Sequence, residues 1–201
     1  MKKGSILSLI ATHGYNVGFG AKKHFATFDI IEKVPGWIGF ISIAYGIISL
    51  KYSDSFFSEH VPCFLTIFGV VSLYVSFYLN QKDDYEEVGK RLTSIYFKLQ
   101  AVYLGIKEST KDDFDEELKL VEALMDEYHK ISITKQICFS DWYAHYKLFA
   151  QMQIDWINEH KKFTLLRDKI PLSFIIVVSL VLISISVCIL QKCGWFPAIC
   201  Q

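Results

Sequence analysis

Hydrophobic positions along this chain follow two different patterns. In three stretches, Val34–Leu50, Val61–Leu79 and Ile170–Leu190, apolar residues run on without one Asp, Glu, Lys, Arg or His. Elsewhere they recur at helical spacing among charged neighbours. The first run, VPGWIGFISIAYGIISL, spans about 25 Å as a helix, the short end for crossing a bilayer. Trp37 near one end and Tyr52 beyond the other suit the two interfaces. The second run has Pro62 in its first turn, where a missing N–H costs nothing, and Tyr74, Phe77 and Tyr78 crowd its far end. The third, with Pro171 at its start, has the highest apolar density and the full length needed to span.

The periodic segments predict helices outside the bilayer. Val17, Ala21, Phe25, Phe28 and Ile31 form one stripe. Such a helix suits the inner headgroup layer, or packing on a cytoplasmic domain. After the second run, Tyr85, Val88, Leu92, Ile95, Leu99, Val102 and Ile106 step by alternating threes and fours, an unbroken heptad seam. With no proline between them, the seam helix is expected to continue straight out of the second run. Leucine at a with β-branched residues at d disfavours a parallel pair and favours three or four strands. Tyr96 and Tyr103 widen the face, which also suits a bundle with the rest of the same chain. The stretch ESTKDDFDEE reads as a turn and a helix start, with Ser109, Thr110 or Asp112 as cap. Phe114, Leu118, Val121, Met125 and Tyr128 follow as a further stripe, and a last helix is expected from Ser140 to Leu166.

The fold class expected is therefore an all-α membrane protein: a transmembrane helical hairpin, a cytoplasmic helical bundle or coiled coil, and a third, C-terminal transmembrane helix. The segments are 1–33, a cytoplasmic amphipathic stretch; 34–80, the hairpin; 81–169, the cytoplasmic helical domain; and 170–201, the third span and outer tail.

Charge adds direction. Basic and acidic residues balance at 21 each, so nothing global points to nucleic acid. Lys22, Lys23 and Lys33 precede the first run, and Lys82, Lys90 and Arg91 follow the second. Lys161, Lys162, Arg167 and Lys169 precede the third, while the 51–60 loop and the C-terminal tail have one lysine each. The lysine-rich flanks predict a multi-pass protein of the inner (plasma) membrane, N-terminus and residues 81–169 cytoplasmic, C-terminus outside. Met1-Lys2-Lys3 begins like a signal peptide, but the apolar stretch after it is too short and lacks a cleavage site.

Candidate chemistry is sparse. GYNVGFGAKKHF, residues 14–25, looks like a phosphate loop, yet Phe19 stands where the second glycine of a P-loop belongs, and no strand precedes it. The dinucleotide pattern fails at Lys23. Cys138, Asp141 and His145 share a prospective helix face without a fourth metal ligand. No catalytic motif appears, no cofactor is indicated, and the expectation is a protein that is not an enzyme. The spacing of Cys193 and Cys200 in the outer tail permits a disulfide; free or acylated thiols are the alternative. Ser42-x-x-x-Gly46 and Ser72-x-x-x-Ser76 have the spacing of close helix contacts within a membrane. No charged ring is available for a selective filter.

The stretch YNVGFGAKKHFATFDIIEKVPGWIGFISIAYGI, with a second hydrophobic run soon after, resembles the SLATT family over roughly residues 10–110. Those are small prokaryotic membrane proteins with a two-helix membrane hairpin, linked to nucleotide-second-messenger conflict systems. The resemblance implies an antiphage effector that permeabilises the host membrane when a partner signals infection. It further implies a homo-oligomer in the lipid bilayer, partnered by a second-messenger-producing nucleotidyltransferase or a nucleotide-sensing protein. The third span departs from the two-helix layout. The competing expectation is a passive scaffold or sensor that recruits a cytoplasmic enzyme.

Overall fold

The computed structural model describes residues 2–51, 60–111, 113–164 and 168–192. All regular structure among them is helical: α1 (Lys3–Lys51), α2 (Val61–Ser76), a 3-10 turn (Leu79–Gln81), α3 (Lys82–Glu108), α4 (Asp115–Ile131), α5 (Ser140–Gln151), α6 (Asp155–Lys161) and α7 (Leu172–Lys192). The chain divides into two compact units, residues 1–161 and 162–201. The second contains α7, an apolar helix whose Ser184 and Ser186 hydroxyls donate back to the carbonyls four residues earlier.

The first unit is built on one long helical hairpin. α1 has 49 residues and passes through Pro35 without ending, so the amphipathic stripe and the first apolar run belong to a single rod. α2 and α3 form the returning arm. The two arms run antiparallel, and contacts along their length show it. Near the N-terminus Lys3 Nζ donates to the carbonyls of Lys107 and Ser109, at 3.0 and 2.6 Å, satisfying the open C-terminal end of α3. Midway, Glu32 pairs with Lys82 at 2.6 Å. In the apolar half, the Tyr45 and Phe64 rings meet edge-on with centroids 5.5 Å apart.

Both arms contain a window long and apolar enough to cross a membrane, and Leu172–Val187 is a shorter apolar helix. Among the described residues, nothing packs closely on Gly46 of the small-residue pair in the first span. A Cβ added at Gly46 would meet nothing within 4 Å.

The heptad seam of α3 is covered by its own chain. Tyr85, Leu92, Ile95, Leu99 and Ile106 are buried, Val88 and Val102 half-buried, and the helix packed most extensively on α3 is α1. α5 and α6 pack on α1 as well, and α4 lies against α3. The stripe of α1 is correspondingly buried at Val17, Ala21 and Ile31, so this helix packs within the bundle.

The second span runs on into α3 as expected, but through a 3-10 tightening at 77–81, where Tyr78 and Gln81 N–H groups bond three residues back, at 3.0 and 3.1 Å. Two local expectations are corrected. α4 starts later than its acidic stretch suggests. Phe114 occupies the cap position without a side-chain bond, Asp113 accepts from the Asp115 N–H, and Ser109 instead ends α3. The helix expected from Ser140 to Leu166 is two helices. Phe139, left-handed at φ 66°, precedes α5, and Ser140 is a buried first-turn residue, not the cap. The chain turns extended at Met152 before α6, and the Gln153 carbonyl exposed by that break accepts the Tyr96 hydroxyl at 2.6 Å.

Candidate functional site

The glycines of GYNVGFG make room for aromatic rings. A Cβ on Gly14 would stand 2.2 Å from the Trp156 ring, on Gly18 3.1 Å from Tyr96, and on Gly20 3.1 Å from Tyr128. Gly89 on α3 receives Phe25 of α1 in the same way, at 3.0 Å. At Gly14 this leaves no space for a methyl group; at the other three the ring would have to give by a few tenths of an ångström. The stretch that mimics a phosphate loop is thus a helix face cut to seat rings from α3, α4 and α6. Trp156 then donates its indole N–H to the Tyr96 hydroxyl at 2.9 Å, and burial pushes the Tyr96 phenol up to about 12. Tyr103, also pushed up to about 12 by burial and by the nearby Glu159 carboxylate, donates to Glu159 at 2.7 Å.

Where the bundle meets the apolar hairpin, an irregular strap crosses between α4 and α5. Its backbone groups cannot pair in a ladder, so side chains of the two arms satisfy them. The Ile133 N–H donates to His24 Nε2 at 3.1 Å, the Cys138 N–H to the Tyr74 hydroxyl at 3.0 Å, and the Lys135 carbonyl accepts from Tyr85 at 2.6 Å. Thr27 donates to Gln136, which in turn donates to the Ile133 carbonyl. Beneath the strap, Ile31, Val75, Tyr78, Tyr85 and Ile137 form a common apolar cluster. One strap therefore ties both spanning arms to the bundle.

His24 is the central group of this junction. It is 3% exposed. Its Nδ1–H donates to the Gly20 carbonyl at 2.7 Å, leaving Nε2 free to accept from Ile133. That pattern holds only for the neutral imidazole. Burial, which outweighs the opposing Gly20 bond, holds its pKa below the ordinary histidine value.

Beside the strap a cleft of about 520 Å³ opens between α1 and α4. Phe19 and Tyr128 wall it, and His13, Asn16, Lys23 and His129 reach it. Burial, together with His129 nearby, lowers the pKa of His13, whose Nδ1 is buried without a hydrogen-bond partner.

The lysines of α1 are drawn into the chain to different degrees. Lys23 pairs with Asp141 of α5 at 2.6 Å. Lys22 is half-buried, and burial and the Lys147 charge lower its pKa. Lys33 pairs with Asp29 at 2.7 Å at the foot of the apolar run. Asp29 also holds Lys147; burial raises the Asp29 pKa, but the two ammonium groups outweigh it and the net shift is downward. Cys138, expected to share a helix face with Asp141 and His145, is exposed and precedes α5. No group of three potential metal ligands occurs among the described residues. Cys193 and Cys200 lie outside the described residues.

The strap and the ring-seating glycines were missed by sequence reasoning. The glycine spacing was visible, but the rings seated on Gly14, Gly18 and Gly20 lie 78 or more residues away and carry no matching pattern.

Residues 1–178 match the family model of the SMODS and SLOG-associating 2TM effector domain 6, and the chain belongs to that family. No curated protein and no solved structure matches it.

Proposed function

With family membership as the premise, we propose that this chain is the membrane effector of a prokaryotic antiphage conflict system. A partner that makes or senses a nucleotide second messenger signals infection. Copies of the chain then assemble in the inner membrane and permeabilise it, without catalysing a reaction. The bundle and its strap lie on the cytoplasmic side and the C-terminus outside, the orientation favoured by the lysine-rich flanks.

The observation that supports this reading most directly is continuity. α1 runs from the bundle core into the first apolar window as one helix, so a change in bundle packing is transmitted to the membrane segment. The apolar side chains of that window are uncovered in a single chain: Phe40, Ile43, Ile47 and Leu50 are all exposed. They are available to lipid and to further copies alike. Since the α3 seam is covered by α1 in the folded chain, assembly proceeds through the spans, with the bundle as the receiving element.

The test is depolarisation in living cells. Co-expression with the partner and its trigger should collapse membrane potential before viability falls, as read by a potential-sensitive dye. Cell death with the potential intact would overturn permeabilisation and leave a scaffold that recruits a toxic partner.

A further inference from the structure

The cleft between α1 and α4 is a pocket of about 520 Å³, a size typical of small-molecule sites. Its polar groups divide into two sets. His24, Gln136 and Ser132 are committed: both His24 nitrogens are bonded, Gln136 bridges Thr27 and Ile133, and Ser132 donates to the Tyr128 carbonyl at 2.6 Å. His13, Asn16, His129 and Thr134 also line the space, and the buried His13 Nδ1 has no hydrogen-bond partner. Lys23 spends one contact on Asp141 and has two further N–H donors.

Polarity decides what such a pocket accepts. Not one Asp or Glu lines it, whereas one ammonium does, together with the imidazoles of His13 and His129 and the committed, neutral ring of His24. An anion entering there meets N–H donors, with the Asp141 carboxylate, 2.6 Å from the Lys23 ammonium and outside the lining, offsetting part of that charge. The rings of Phe19 and Tyr128 offer flat apolar surface on the same walls, which suits an organic ester better than a bare ion.

Position decides the source. Lys23 and His13 lie 11 and 21 residues before Val34 on one continuous helix, so the cleft stands about 16 to 31 Å along α1 from the start of the apolar run. The headgroup layer is only about 5 to 8 Å thick on each side of the hydrocarbon. A lipid phosphate does not reach that far.

We propose that this cleft binds a soluble phosphorylated small molecule, held at the phosphate by Lys23, His13 and His129 and flanked by Phe19 and Tyr128. The inference does not depend on membrane permeabilisation. Occupancy would brace α4 against the helix that enters the membrane, because the cleft has α1 as one wall and α4 as the other.

Calorimetric titration of the full chain in phosphatidylcholine nanodiscs tests it, with inorganic pyrophosphate, adenosine monophosphate and adenosine as probes. The two phosphorylated probes should bind saturably and adenosine should not. Lys23→Gln combined with His129→Gln should weaken binding by about tenfold or more. Asn16→Asp, an exposed position where the change keeps the shape and adds a carboxylate, should do the same and guards against a folding defect in the first variant. No heat from either phosphorylated probe up to about 10 mM overturns the proposal, as does unchanged binding in both variants. Loss of binding on adding anionic lipid to the nanodiscs would assign the cleft to headgroups and also overturn it. Because the readout is binding, it separates from failure of the depolarisation experiment.

Discussion

The two halves of α1 contain the same kind of residue in opposite surroundings. Gly14, Gly18 and Gly20 in the first half are each met by an aromatic ring; Gly36, Gly39 and Gly46 in the second meet nothing within 4 Å. Tryptophan repeats the contrast. Trp156, seated over Gly14, is 5% exposed, while Trp37 is 62% exposed. One half of the rod is specified by jigsaw contacts inside the chain. The other is specified by what surrounds the chain, since apolar surface with no protein cover requires lipid or further copies. The strap of residues 132–138 marks the boundary between the two regimes.

The tryptophans break the comparison most sharply. Trp156→Ala should destabilise the bundle by about 3–5 kcal/mol, since it removes a buried ring and orphans the hydrogen bond to Tyr96. Trp37→Ala should stay within about 0.5 kcal/mol. Thermal unfolding in detergent, followed by circular dichroism, reads both. Equal effects would mean that the outer half is packed within the chain after all.

The glycines sharpen it at smaller amplitude. Gly14→Ala drives a methyl group into the Trp156 ring and should cost about 1–3 kcal/mol. Gly39→Ala meets open space and should be neutral or slightly stabilising, by up to about 1 kcal/mol, through helix propensity. The same melts distinguish them.

The smallest effect is a pH slope confined to the bundle. His24, His13 and His145 all have pKa values lowered chiefly by burial. The unfolded chain therefore takes up protons more readily than the folded one. The stability these groups contribute is complete above their ordinary value of 6.5 and is lost as pH falls below it toward their folded values. Melting midpoints should be flat above about pH 7.5 and decline between about pH 6.5 and pH 5. His24→Gln, which retains an acceptor for the Ile133 N–H but cannot titrate, should flatten the decline.

Much of this fold was legible in the chain. The uncharged runs, the α3 seam and the stripe of α1 all repeat along the sequence, and periodic burial leaves a periodic trace. The site was far less legible. The break at Met152, the strap and the cleft depend on single contacts between distant segments. Ser140 illustrates the failure: it has the right chemistry for a cap, but Phe139 takes the position and Ser140 is buried in the first turn. GYNVGFGAKKHF has glycines and lysines in a suggestive order, yet only the rings opposite them reveal the role of those glycines.

By itself, then, the sequence determined helical class, the apolar runs and the direction of charge along the chain, because these follow from local spacing and composition. Only the tertiary structure decided that the α3 seam belongs to α1, that three glycines are ring seats, and that His24 is held neutral under the strap. The reason is physical: a helix face displays what it can bury, but which partner fills it depends on shape complementarity between segments far apart in the chain.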